Sequence, residues 1–213
     1  EASSFQLFFS KFIKPNFAVI LNITKDHLDW HGTIKNYQNS KFNIFSHQDN
    51  QDYALLNDQE LIKKFRKKYF LSKLEIIKKN ITRRSLKKNL KNKYLFSKPN
   101  LENLSFVYKL STLLSIRKKI ILKALNTFKG LPHRNEIFFK KKEIIFINDS
   151  KATSFEATRH ALKNNKNIFW IVGGLPKLGD AFNLKSISKN IIKSYIIGKN
   201  TDYFKKQIGT STE

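Results

Sequence analysis

Asp26-His27-Leu28-Asp29 sets an imidazole between two carboxylates, a group that can ligate a divalent cation or move protons. Asn148-Asp149-Ser150-Lys151-Ala152-Thr153 brings a carboxylate, an ammonium and two hydroxyls close together, the complement that holds an anion at a helix N-terminus. Gly173-Gly174-Leu175-Pro176-Lys177 joins two glycines, which permit close backbone approach, to a point charge suited to a carboxylate or phosphate. Gly130-Leu131-Pro132-His133-Arg134 ends on a guanidinium able to grip a phosphate through two parallel hydrogen bonds. Each segment also has a plainer reading: a polar loop, an N-cap, a glycine turn and an ordinary helix ending. Spacing alone leaves these pairs of readings open. None of the seven glycines starts a G-x-x-x-x-G-K-[ST] loop. A nucleotide site is therefore expected to be incomplete in this chain or to lie upstream of Glu1.

These segments need strands and helices to position them. The apolar, β-branched run at 17–24 predicts a buried strand of the parallel kind, and 25–33 a polar loop after it. Ligands of open α/β sheets bind at the carboxyl ends of strands, where both polar motifs fall. Helical spacing predicts helices over 34–45, 59–68 with Asp58 as its cap, 101–116 and 118–128. Strands are expected at 53–56 and 73–78. Gly130 stops the helix before it and Pro132 follows, marking a domain junction near 130. Beyond it, strands at 137–139 and 143–148 flank a lysine-rich turn. A helix at 154–164, a strand at 167–174, a helix near 184–193 and a strand at 194–198 follow. The alternation gives the α/β class with a mostly parallel sheet. The basic stretch 79–98 carries no recognisable pattern.

The chain has 213 residues, 40% of them hydrophobic and 13% aromatic, enough for a packed core. It contains no cysteine, which excludes disulfides and thiolate metal sites and fits a reducing cytoplasm. No apolar run approaches the roughly 18 residues of a membrane span. The net charge is +25, from 41 Lys and Arg against 16 Asp and Glu. One reading is a nucleic-acid-binding module. The other is compositional bias toward Lys, Asn, Ile and Phe. The absence of helix-turn-helix, zinc-finger and RNA-binding aromatic motifs favours the second, with no specific nucleic-acid partner. The chain opens at Glu1 and holds no methionine, which reads as a piece of a longer protein.

Taken in order, the motifs resemble the Mur ligase family, nearest its D-glutamate-adding members. The matching segments are Glu1-Ala2-Ser3-Ser4-Phe5-Gln6-Leu7 (E-x-S-S-F-Q-L), residues 22–29 (N-x-T-x-D-H-x-D), Tyr37 to Lys41 (Y-x-x-x-K), and Asn100 to Asn103 (N-x-x-N). G-L-P-H-R and N-D-S-K-A-T complete the series. Trp30 departs from the family pattern, which leads one to expect a polar residue there.

The resemblance implies an α/β fold. Residues 1–130 would form the ATPase-like central domain without its P-loop part, and 131–213 a truncated Rossmann-like C-terminal domain. It implies a ligase that uses ATP to join D-glutamate to UDP-N-acetylmuramoyl-L-alanine through an acyl phosphate. Glu1, His27 and a carbamylated Lys41 would hold Mg2+, and Lys41, His27 and Lys151 would serve catalysis. Asn100, Asn103, Arg134 and Asp149 would bind the nucleotide. Ser3 and Gln6 would face the UDP-sugar, while Thr153 and Lys177 would surround D-glutamate. It further implies a cytoplasmic enzyme, monomeric at full length, and a piece inactive and marginally stable on its own. A folylpolyglutamate synthase-like relative is the alternative within the superfamily.

Overall fold

The computed structural model describes residues 1–78, 86, 89–176, 180–181 and 186–209. The chain divides into two compact units, Glu1–Lys129 and Gly130–Glu213.

The first unit runs α1 (Ser4–Phe9), β1 (Phe17–Val19), α2 (Leu28–His31), α3 (Ile34–Phe42) with a 3-10 turn at Asn43–Phe45, β2 (Tyr53–Leu56), α4 (Gln59–Lys67), β3 (Lys73–Ile76), α5 (Lys98–Leu113) and α6 (Lys118–Thr127). Its three strands are parallel in the order β1-β2-β3, with Ala18 beside Ala54 and Leu55 beside Glu75. Side chains alternate between faces along each strand. Ala18, Ala54 and Leu56 pack with Phe42, Phe45 and Phe65 on one face. Val19 and Leu55 pack with Phe106 of α5 on the other. Both faces are thus apolar and covered, which is why 53–56 reads as an uninterrupted apolar run. Asp58 caps α4 by accepting from the Glu60 and Leu61 amides at 2.9 and 3.0 Å, as its position before the helix predicts.

Three expectations need adjustment here. The first strand ends at Val19 rather than 24. Ile20 still donates to the Leu55 carbonyl at 3.3 Å, but Leu21 is exposed, so the chain has already left the sheet. The polar loop 25–33 contains one helical turn, α2. The helix placed at 101–116 starts earlier, at Lys98, and ends at Leu113.

The second unit contains β4 (Glu136–Lys141), β5 (Ile144–Asn148), α7 (Phe155–Asn164), β6 (Ile168–Gly173), a 3-10 turn at Ser188–Asn190, β7 (Ile191–Ile197) and α8 (Thr201–Ile208). β4 and β5 form an antiparallel hairpin, and β6 and β7 pair in parallel. Among the described residues β5 pairs only with β4, so the hairpin stands apart from the parallel pair. Trp170 of β6 meets Phe155 and Leu162 of α7 and Phe204 and Ile208 of α8 in one core.

The helix expected near 184–193 is not found in its described part. Residues 188–190 make a single 3-10 turn, and Ile191 and Lys193 already pair with Ile168 and Phe169. Asn190 donates its side-chain amide to the Leu162 carbonyl at 3.0 Å, closing the end of α7. The β-branched pair Ile191-Ile192 is therefore free to join the sheet. Residues 182–185 lie outside the described residues. Gly173 fits its place because a Cβ there would lie 2.1 Å from the Ile197 carbonyl oxygen. The close backbone approach expected of this glycine pair is thus made to the neighbouring strand. No helix among the described residues is long and apolar enough to cross a membrane.

Candidate functional site

α1, α2 and α3 bring three of the predicted site segments to one corner of the first unit. Ser3 begins α1 as a reciprocal cap. Its Oγ accepts from the Gln6 amide at 3.2 Å, and its own amide donates to Gln6 Oε1 at 2.8 Å. Both side chains predicted to meet a substrate therefore also order the helix start. His27 precedes α2 in the left-handed region, at φ 53. Asp26 holds it there by accepting from the His27 amide at 3.0 Å, with the second carboxylate oxygen 3.5 Å from His27 Nε2.

Lys41 lies in the last turn of α3 with its Nζ 5.3 Å from the centre of the Tyr37 ring. Burial pushes its ammonium below the ordinary lysine range, against the opposing pull of Glu1 and Asp26. Glu1, Asp26 and Lys41 thus share one electrostatic environment. His27 joins it through Tyr37, at 6.3 Å between ring centres. Among the described residues no three His, Cys, Asp or Glu side chains converge on one point.

Behind this corner lies a feature that sequence reasoning missed. His31 is 5% exposed and hydrogen-bonds Ser4 Oγ through Nε2 at 3.0 Å and Ser40 Oγ through Nδ1 at 3.4 Å. Ser4 and Ser40 are buried as well. Separations of 27 and 9 residues carry no local signal, so nothing in the sequence links these three. Burial, then the nearby His27, lower the His31 pKa, and Lys41 adds to this while Asp29 opposes it. Trp30 and Phe8 meet edge to face at 5.0 Å. They line a cleft together with His31, Asn36, Asn39, Ser40 and Asn43.

The two asparagines of N-x-x-N sit differently. Asn100 donates to the Tyr94 carbonyl at 2.7 Å and so holds the preceding 3-10 turn. Asn103 is exposed on α5.

In the second unit, the segments G-L-P-H-R and N-D-S-K-A-T are one assembly. Asp149 Oδ1 accepts from the Asn135 amide at 2.8 Å, and the Lys151 amide donates to the His133 carbonyl at 3.0 Å. The Asn148 side chain meets His133 Nδ1 at 2.8 Å. His133 and Asn135 both have positive φ, 62 and 47, a conformation that asparagine tolerates better than most residues. Burial raises the Asp149 pKa; the Asn135 amide, His160 and Arg134 act against it. Arg134, Lys151 and Thr153 are exposed around this latch. Asp180 accepts from the Phe155 amide with both oxygens, at 2.9 and 3.2 Å, and so also caps α7. Lys177 lies outside the described residues.

Residues 1–120 match the Mur ligase middle domain. The chain belongs to the Mur ligase family. It is similar to the UDP-N-acetylmuramoylalanine–D-glutamate ligase of Rickettsia felis, 32% identical over 97% of this chain and 50% of that protein. The enzyme of the same name from Staphylococcus haemolyticus is 34% identical over 97% of this chain and 49% of its own length. That from Oenococcus oeni is 35% identical over 93% and 49%. The chain spans about half the length of the curated relatives it matches. Two solved structures share its fold at 16% identity. MurF of Acinetobacter baumannii has a TM-score of 0.70 and covers 93% of this chain and 50% of its own. MurF of Thermotoga maritima, in complex with ADP, has a TM-score of 0.65 and covers 93% and 52%.

Proposed function

We propose that the protein to which this Mur ligase chain belongs joins D-glutamate to UDP-N-acetylmuramoyl-L-alanine in the making of peptidoglycan precursor, with ATP as the energy source. Residues 1–130 then act as its central domain and 131–213 as the start of its C-terminal domain. The observation that carries the reading is the shared name of relatives matching more than nine-tenths of this chain. The corner around Lys41 supports it.

A hard divalent cation takes oxygen donors and keeps much of its water, so a site with few protein ligands suits magnesium. Glu1, His27 and Lys41 are the residues we assign to hold it. The ion would supply neutralisation of the charge that develops in phosphoryl transfer. An ammonium at Lys41 would repel a cation, and the lowered pKa raises the share of free amine above that of an ordinary lysine. A free amine adds to carbon dioxide, giving a carbamate and releasing one proton. The product carries a negative charge where the lysine carried a positive one.

Ser3 and Gln6, fixed by their mutual cap, would present α1 to the UDP-sugar. Asn100 and Asn103 would bracket the adenine, with Asn103 the freer of the two to read it. Arg134 would contact phosphate and Asp149 the ribose. Asp149 has one oxygen on the Asn135 amide and the other to offer. Lys151, Thr153 and Lys177 would surround D-glutamate. The enzyme would act in the cytoplasm as a monomer, without a specific nucleic-acid partner.

Phosphate release by the full-length protein with UDP-N-acetylmuramoyl-L-alanine, ATP and magnesium tests this directly. Release should require D-glutamate and be lost in His27→Ala. Release with another amino acid or acceptor would overturn the specificity, and none from a folded protein would overturn the reading.

A further inference from the structure

We infer that His31 is a positioning residue that sets the geometry of the Lys41 corner through a directed hydrogen-bond relay, Ser4 to His31 to Ser40 to the Asn36 carbonyl. The direction follows from donor counting. Ser40 Oγ lies 3.0 Å from the Asn36 carbonyl, which can only accept, so the Ser40 proton goes there. Ser40 then meets His31 Nδ1 as an acceptor, which places the ring proton on Nδ1. Nε2 is left with a lone pair, and Ser4, 3.0 Å away, donates to it. Neutral imidazole carries one donor and one acceptor and satisfies the relay with one tautomer.

The relay joins three elements at the points where the site residues stand. Ser4 opens α1, directly after Ser3. His31 ends the short helix that His27 begins. Ser40 directly precedes Lys41. The Asn36 side chain also donates to the His31 carbonyl at 3.0 Å, tying α2 to α3 a second time. Phe5 closes the group by stacking on the His31 ring at 5.6 Å while its edge meets His27 at 4.9 Å. All three relay side chains are buried, so a lost partner leaves a poorly solvated polar atom, at a free-energy cost. A change at His31 therefore moves the elements that carry Glu1, His27 and Lys41.

This inference rests on the metal assignment given above. The test uses the full-length protein, with magnesium affinity by calorimetry and 13C-bicarbonate incorporation at Lys41 by NMR. His31→Leu keeps apolar bulk but has no polar atom; His31→Gln restores one acceptor and one donor. His31→Leu should weaken magnesium binding by about ten- to a hundredfold, the range for residues that orient metal ligands, and should lose the carbamate signal. His31→Gln should recover most of both, which a merely packing role would not predict. If His31→Leu does not fold, Ser4→Ala is read by the same two measurements, with the same direction expected. A folded His31→Leu or Ser4→Ala with wild-type magnesium affinity and carbamate overturns the relay alone. Wild-type protein that neither binds magnesium nor takes up labelled carbon overturns the site assignment and the relay with it.

Discussion

The corner around Lys41 and the latch around Asp149 position their polar groups by opposite means. In the first unit buried side chains do the work. Ser4, His31 and Ser40 are buried and hydrogen-bond across three helices. In the second unit backbone groups share it with the Asp149 and Asn148 side chains. Two amides and a pair of left-handed residues lace two loops together, and Arg134, Lys151 and Thr153 are left exposed. The first arrangement partly buries a lysine, and that burial lowers its pKa. The second leaves cations solvated and free to meet a diffusing anion. Substitutions should therefore be felt in stability as well as in ligand binding in the first region, and mainly in ligand affinity in the second.

The largest contrast is between buried and exposed phenylalanines. Phe42→Ala removes a fully buried ring beside Lys41 and should cost about 3–5 kcal/mol. Phe139→Ala, on the half-exposed hairpin, should stay within about 1 kcal/mol. Urea unfolding of the two variants measures both, and equal losses would erase the distinction. Next comes the polar pair. Ser4→Ala leaves His31 Nε2 buried without a donor and should cost about 1–3 kcal/mol. Ser150→Ala, on the exposed latch, should cost less than about 0.5 kcal/mol.

The pH responses should have opposite signs. The His31 pKa is lowered on folding, so the unfolded chain binds more protons just below pH 6.5, the ordinary histidine value. Stability from this group is complete above that value and is lost as pH falls through the lowered folded pKa. The Asp149 pKa is raised, so the folded state binds more protons just above 3.8. There stability falls as pH rises through the window from 3.8 to the folded value. Melting curves of wild type against His31→Gln and Asp149→Asn isolate each effect, because the common effect of the +25 charge largely cancels in the difference. His31→Gln should reduce the acid-side loss, and Asp149→Asn should flatten the fall above 3.8.

Local signals account for what the sequence made legible. Asp58 before an amphipathic run gave α4 and its cap, and the apolar run 53–56 gave β2. The lysine-rich turn between two apolar runs gave the β4–β5 hairpin. Where two local signals competed, reading faltered. Ser3 and Gln6 spell a capping box, yet the segment is too short for helical periodicity to mark α1. Ile191-Ile192 suits helix or strand by pattern, and the pairing of Ile191 with Ile168 and of Lys193 with Phe169 decides it. The candidate site was legible as segments: Glu1, His27 and Lys41 were each marked by motif. The His31 relay was not, since its partners meet only after α1, α2 and α3 have packed.

The smallest stability effect should accompany a distinct loss of binding. Arg134 is exposed and acts on Asp149 only through its charge, which opposes the raised pKa. Arg134→Ala should therefore change stability by less than about 0.5 kcal/mol. Under the proposed function it removes a charge-assisted contact to phosphate, worth roughly tenfold or more in affinity. The full-length variant should then melt like wild type while its KM for ATP rises by about that factor. Arg134→Lys should recover only part of the loss, because a point charge replaces a planar fork. A melting shift as large as that of Ser4→Ala would show that Arg134 braces the latch. An unchanged KM would remove it from the phosphate site. Either result would narrow the difference between the two regions to the burial of Lys41.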